Sequence, residues 1–226
     1  VGLQSNDLIQ VVNGAKTPDT KEFLAALLAA GDAPLRLKVV RHQKAADITV
    51  EPAVYFAAES AGEEGAFSRL KPVANSGAKI TASQQTHNEP PTDLTDGKLA
   101  RNYGPVFGNG TRGGAYMLDL GSVKQVSAIT SWSFNQNGNR ARQFVTLYGS
   151  KAPTHPGWKT DDRSQFTPLG TIDTATLSNE NFHAASLRCR EGKNLGGFRW
   201  IVWCVEPVTG LQENTAFQEL GVVTAP

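Results

Sequence analysis

Sulfur is scarce in this chain, with two cysteines and one methionine among 226 residues. That is too little for a disulfide framework, so a packed core must hold the fold. Charge of one sign is equally lacking. Lys and Arg number 22, Asp and Glu 21, and the net charge of +1 argues against a dedicated nucleic-acid or anionic-membrane surface. No apolar run reaches the length of a transmembrane helix. The four histidines, His42, His87, His155 and His183, are scattered without H-x-x-x-H spacing, and no C-x-x-C pair exists. There is no G-x-S-x-G elbow, and the glycine-rich run 108–114 lacks the Lys-Ser/Thr of a phosphate loop. A catalytic constellation is therefore missing, and the expectation is a protein that binds rather than catalyses. Hydrophobic residues make up 39% and charged residues 19%, which permits a core and excludes disorder throughout.

What the chain does have is period-two alternation, centred on residues 114–150. Tyr116, Leu118 and Leu120 share one face. Val126, Ala128, Thr130, Trp132 and Phe134 share the next, and Val145 and Leu147 oppose Phe144, Thr146 and Tyr148 in a third run. Residues 121–124 read as a tight turn between the first two strands. Residues 135–142 read as a longer polar loop between aromatic strands, a position that suits binding. Further short strands are expected at 78–83, 167–173, 182–190, 198–205 and 217–223. Trp132, Trp200 and Trp203 fall in strands and read as core, whereas Trp158 lies in a loop. Cys189 and Cys204 alternate with apolar neighbours and read as buried thiols, with a disulfide as the alternative.

The first fifty residues differ from the rest. Thr17 is expected to cap a helix with Pro18 in its first turn, and Phe23, Leu24, Leu27 and Leu28 form its apolar stripe before Gly31. Strands follow at 35–41 and 48–50. Residues 55–73 are small and acidic without periodicity and read as a linker. The organisation expected is thus 1–54, a linker at 55–73, and a second domain at 74–226.

Two family resemblances attach to these segments. Val1-Gly2-Leu3-Gln4-Ser5-Asn6-Asp7-Leu8-Ile9-Gln10-Val11-Val12-Asn13-Gly14 resembles the hallmark phrase of bacterial-type PDZ domains. The family's carboxylate-binding loop and the strand after it would lie upstream, so the chain is expected to begin inside a longer protein. The implied unit is a partial α+β PDZ domain, open to a protein partner but not to free peptide C-termini. Ala115-Tyr116-Met117-Leu118-Asp119-Leu120-Gly121 running into Val126 and Ile129 resembles the discoidin (coagulation-factor type C, galactose-binding-like) family. So do Leu94-Thr95-Asp96-Gly97 upstream and Phe217-Gln218-Glu219-Leu220-Gly221-Val222 at the end. The resemblance implies a mainly β fold, a jelly-roll sandwich that presents loops at one end, on an extracytoplasmic multidomain protein. It also implies a calcium ion tying the Asp93 loop to the last strand. The Asp96 side chain, the carbonyls of Asp93, Lys98, Arg101 and Gln218, and the Glu219 carboxylate would be its ligands. Arg101 stands where the family has a Thr and offers only its carbonyl.

Sugar recognition needs an aromatic face together with planar amides and guanidinium groups for vicinal hydroxyls. The loops at 101–112 and 135–142 carry both. Tyr103 and Phe107 are candidate platforms, and Arg112, Asn135, Asn137, Asn139 and Arg140 are candidate hydrogen-bonding groups. Arg142 stands nearer the strand and reads as a structural ion-pair partner. The function expected is non-catalytic carbohydrate binding, with a protein- or lipid-interaction scaffold as the alternative.

Overall fold

The computed structural model describes residues 6–30, 34–50, 54–61, 75, 78–99, 104–134, 140–177, 182–189, 194–208 and 213–225. The chain divides into two compact units, Val1–Tyr55 and Phe56–Pro226.

The first unit is a four-stranded antiparallel sheet with one helix. Strand β1 (Leu8–Val12) turns into β2 (Ala15–Lys16), helix α1 (Thr20–Ala30) follows, and β3 (Leu35–Arg41) and β4 (Lys44–Val50) close the sheet in the order β2-β1-β3-β4. Val12 pairs with Ala15 across a two-residue loop in which Asn13 and Gly14 have φ of 49° and 89°. An Asn-Gly pair tolerates two positive φ angles, the twist a tight hairpin needs. Val12, Leu37, Val39 and Ile48 are buried, with Phe23 and Ala26 of α1 packed against them. The helix is capped by Asp19, not by Thr17 as its sequence suggests. Asp19 Oδ1 accepts the N–H groups of Lys21 and Glu22 at 2.8 and 3.0 Å. An acceptor one residue before the helix reaches two of its unpaired amides. The Leu24, Leu27 and Leu28 side chains and Gly31 lie outside the described residues. Arg41 grips Asp7 in a two-pronged pair, both contacts at 2.7 Å.

The second unit is mainly β and antiparallel. Its strands are β5 (Val54–Ala61), β6 (Lys79–Ala82), β7 (Gly114–Phe134), β8 (Phe144–Ser150), β9 (Thr167–Asp173), β10 (Phe182–Cys189), β11 (Gly196–Val205) and β12 (Phe217–Thr224). A short 3-10 helix, Pro91–Thr95, sits between β6 and β7. The start of the expected linker is thus strand β5, which pairs with β10. Residues 62–74 lie outside the described residues.

Strand β7 belongs to both layers of a sandwich. Its first part lies between β6 (Ala82 opposite Tyr116) and β11 (Val202 opposite Met117). Its second part lies between β10 (Ala184 opposite Trp132) and β12 (Glu219 opposite Trp132). The tight turn expected at 121–124 is instead a wide bulge. Asp119 faces Trp200 and Lys124 faces Phe198, so four residues of β7 oppose Arg199 alone. Gly121 takes φ of 79°, and its N–H donates to Asp119 Oδ1 at 2.8 Å, so the strand bends without reversing. Tyr116, Met117 and Leu118 are all fully buried, as covering both faces of one strand requires. Trp132 and Trp203 are fully buried and Trp200 is 7% exposed, in keeping with their reading as core. Trp158 is partly buried against the cluster of Met117, Phe166 and Trp200. Both cysteines are free thiols and partly exposed.

The bulge is held by an ion pair. Arg199 Nε and Nη2 donate to Asp119 Oδ1 and Oδ2 at 2.8 and 2.9 Å, and the guanidinium lies 4.8 Å above the Trp200 ring. These bonds hold the Asp119 carboxyl below its ordinary value of 3.8. The stability they add is therefore present above that value and is lost as pH falls through the lower folded one. Asp119→Asn should destabilise the fold at neutral pH, because it leaves the Arg199 guanidinium short of its charged partner. The variant should also lose less stability than the parent on acidification. Parallel acid-denaturation curves would dissociate Asp119 from that loss.

Candidate functional site

Segments from three parts of the second unit meet around an open cavity of about 430 Å³. Its lining is His87, Asn88, Val106, Phe107, Gly108, Asn109 and Arg140. His87 and Val106 form an isolated β-bridge, with N–H···O distances of 2.8 and 3.3 Å, which fixes the His87 backbone on one wall. Gly108 makes room for the imidazole: a β-carbon there would sit 2.9 Å from His87 Nε2. Arg140 forms the other wall. Its Nη2 donates to Asn109 Oδ1 at 2.8 Å and its Nη1 to the Asn214 carbonyl at 2.9 Å. The Arg140 carbonyl accepts the Ala216 N–H at 3.0 Å.

Behind this surface the polar groups are tightly interlocked. Gln143 is fully buried; its Oε1 accepts from Ser131 Oγ at 2.5 Å and its Nε2 donates to Ser133 Oγ at 3.0 Å. Ser133 Oγ donates to the Ala141 carbonyl, and Thr215 Oγ1 to the Arg142 carbonyl at 2.6 Å. Residues 140–143 are therefore stitched to β7 on one side and to residues 214–216 on the other. Arg142 plays the structural part expected of it, with Nη2 3.5 Å from Asp173 Oδ1.

Of the residues expected in a sugar site, the cavity gathers Phe107 and Arg140. Phe107 is not a platform, however. It is 1% exposed, and its ring stacks on Tyr116 with centroids 4.7 Å apart, so core packing claims the face a sugar would use. Arg112 is exposed but does not line the cavity. Tyr103, Asn135, Asn137 and Asn139 lie outside the described residues. His87, Asn88 and Asn109 line the cavity and Asn214 backs it, yet none is among the expected ligand groups. Asn214 carries no local signal in the sequence, since its bond to the Gly108 carbonyl spans 106 residues.

A second feature lies where β12 passes the Asp93 loop. Glu219 is fully buried. Its Oε1 accepts the Gly97 N–H at 3.1 Å, while Oε2 is buried with no hydrogen-bond partner. Burial pushes its carboxyl from the ordinary 4.5 up to about 8, with a smaller push from the Asp96 charge. Asp96 Oδ1 accepts the Lys98 N–H at 2.8 Å, and the Lys98 ammonium lies 3.6 Å from Oδ2. Asp93 is exposed, Gln218 is buried, and Arg101 lies outside the described residues. Among the described residues no group of three or more His, Cys, Asp or Glu side chains is arranged to hold a metal.

No family model and no curated protein matches the sequence. Solved structures do resemble the chain. One is a Clostridium perfringens module, CpGH89CBM32-5, in complex with GalNAc-β-1,3-galactose. It is 13% identical with a TM-score of 0.47, over 68% of this chain and 99% of that one. Another is the family 32 carbohydrate-binding module of C. perfringens NanJ in complex with galactose, 12% identical, TM-score 0.45, over 67% of this chain and 97% of that one. A third is the C-terminal domain of a Bacteroides fragilis chitobiase, 14% identical, TM-score 0.46, over 68% and 97%. The comparisons lend no support to the PDZ resemblance of residues 1–54.

The buried carboxyl sets a pH dependence. In a chelated solution the folded chain keeps a proton on Glu219 that the unfolded chain releases from about pH 4.5 upward, with the folded group following near 8. Its contribution to stability is therefore present below 4.5 and is lost as pH rises through 8. Melting temperature in chelator should fall across that interval in the parent, and Glu219→Gln should remove this part of the fall. An unchanged pH profile in the variant would mean that Glu219 does not titrate there.

Proposed function

We propose that the second unit is a non-catalytic carbohydrate-binding module whose ligand sits in the cleft of His87, Asn88, Asn109 and Arg140. One observation carries this reading. A guanidinium, two amides and an imidazole converge on a single open cavity of about 430 Å³, with Arg140 held between Asn109 and Asn214. Planar groups of this kind recognise vicinal hydroxyls through paired hydrogen bonds. Tyr103 is kept as the proposed stacking platform, and Arg112, Asn135, Asn137 and Asn139 as proposed hydrogen-bonding groups. An extracytoplasmic setting goes with this reading.

A glycan array, followed by calorimetry on the best ligand, tests it. Arg140→Ala and Asn109→Ala should each weaken binding by about 1–3 kcal/mol, the cost of leaving polar groups in the bound complex unpaired. Wild-type affinity in both variants would move the site elsewhere.

We further propose that the loop at 93–101 and β12 hold calcium. The unpartnered, buried Glu219 Oε2 beside the Asp96 carboxylate fits a cation. Asp96 and Glu219 would supply carboxylates, and Asp93, Lys98, Arg101 and Gln218 carbonyl oxygens, a donor set calcium accepts. Its chemistry would be structural, neutralising two carboxylates and tying a loop to a strand. Melting temperature should rise in millimolar calcium by mass action and Glu219→Ala should abolish the rise. Coincident curves in calcium and chelator would leave the parent without such a site.

A further inference from the structure

We propose that Asn109 is a site of self-modification: its side chain closes on the Gly110 backbone nitrogen, assisted by Arg140, and opens again as aspartate or isoaspartate. This goes beyond the glycan reading and does not depend on what the cleft binds. Three Asn-Gly steps occur in the chain, at Asn13, Asn109 and Asn137, and the last lies outside the described residues. Such a step favours ring closure because glycine has no β-carbon to shield its nitrogen from the preceding side chain. The two described steps differ in how the fold holds them.

At Asn109 the attacking group is open. Among the described residues the Gly110 N–H donates to no group. Asn109 and Gly110 are both exposed, and a β-carbon at Gly110 would meet nothing within 4 Å. The carbonyl to be attacked is already engaged, since Arg140 Nη2 donates to Asn109 Oδ1 at 2.8 Å. That bond polarises Cγ and leaves Nδ2 as the group that departs. Arg140 is itself held through Nη1, 2.9 Å from the Asn214 carbonyl, so the donor is in place before charge develops on Oδ1. Asn13 is the opposite case. Its N–H donates to the Arg36 carbonyl and its Oδ1 accepts the Arg36 N–H, both at 2.8 Å. Its neighbour Val12 pairs with Ala15 on one side and with Leu37 on the other. Closing the ring there means turning a residue clamped to β3 and breaking those bonds.

The step balances without a cofactor. Hydroxide from solvent takes the Gly110 amide proton, and the nitrogen forms a bond to Asn109 Cγ. The negative charge gathers on Oδ1, against Arg140 Nη2. The bond from Cγ to Nδ2 then breaks, a water proton goes to the departing nitrogen, and hydroxide is returned as ammonia leaves a succinimide. Water opens either ring carbonyl to give aspartate or isoaspartate. One water is consumed and one ammonia released, with nothing oxidised or reduced. The product puts a carboxylate in the lining of the cleft where Asn109 offered an amide.

The experiment is incubation of the whole chain in mildly alkaline buffer, followed by tryptic digestion and mass spectrometry. Asn13, Asn109 and Asn137 fall on separate tryptic peptides, 1–16, 102–112 and 125–140, and fragmentation locates the change. In the folded chain Asn109 should exchange its amide several-fold faster than Asn13 and yield both aspartate and isoaspartate. In urea the two should react alike. Arg140→Ala should slow Asn109 by about tenfold, and Arg140→Lys, which keeps a donor, should recover part of the rate. Asn109 reacting no faster than Asn13 in the folded chain overturns the inference. So does an Arg140→Ala chain that melts cooperatively and modifies Asn109 at the parent's rate. Should Arg140→Ala fail to fold, the comparison of Asn109 with Asn13 in the parent decides alone.

Discussion

Strand β7 is the constraint on which the second unit depends. One strand of 21 residues, Gly114–Phe134, pairs with β6 and β11 in its first part and with β10 and β12 in its second. A strand that serves two layers must change direction between them without losing its ladder, and the bulge at 120–123 does this. Met117 and Leu118 are adjacent in sequence and both fully buried, so both faces of the strand are covered there. The Asp119 and Arg199 pair pins the bulge, and the register of β11 on either side follows from it.

The segments that end this framework carry the candidate sites. Residues 104–113 enter β7 directly, and their inner face is the Phe107 ring on Tyr116, whose hydroxyl donates to the Pro105 carbonyl at 3.2 Å. Residues 140–143 leave it through the Gln143, Ser131 and Ser133 bonds. A cleft built this way presents polar groups on a rigid backing, so little conformational entropy remains to be lost on binding. The same rigidity explains why Phe107 is unavailable as a platform. Its ring is a structural wedge, and a β-carbon at Gly114 would sit 2.7 Å from it.

Much of the fold was legible because period-two alternation survives wherever one face is buried. Residues 167–173, read from pattern alone, coincide with β9, and Trp132 and Trp203 are core as their alternation suggests. The misreadings have local causes. A Gly-Ser pair between apolar runs serves a turn and a bulge equally well, so β7 was divided where the chain only bends. Asp19 outcompetes Thr17 because helix start depends on which oxygen reaches the first free amides. Strand β5 begins with Val54, Tyr55 and Phe56 but runs on into small residues and Glu59 without alternation, and its pairing with β10 declares it. Within the cleft, Arg140 stood out by residue type, whereas Asn214 acts through bonds to Gly108 and Arg140 that no spacing foretells.

The two candidate sites also share an anchor, and this decides which substitutions can separate them. Glu219 holds the Gly97 amide, and two residues earlier on β12 the Phe217 carbonyl lies against Gly104 so closely that no side chain fits there. The ends of residues 97–104 are thus fastened to neighbouring positions of one strand. Past Gly104 the chain continues through Val106, which bridges His87, to Gly108 and Asn109 of the cleft. A substitution at Gly104 would disturb both ends together, because the obstacle is a backbone carbonyl that cannot swing aside. A change at Glu219 removes one of these two fastenings, whereas a change at Asn109 leaves both in place, so loss of binding in the Asn109 variant alone is assigned to the cleft and not to the strand.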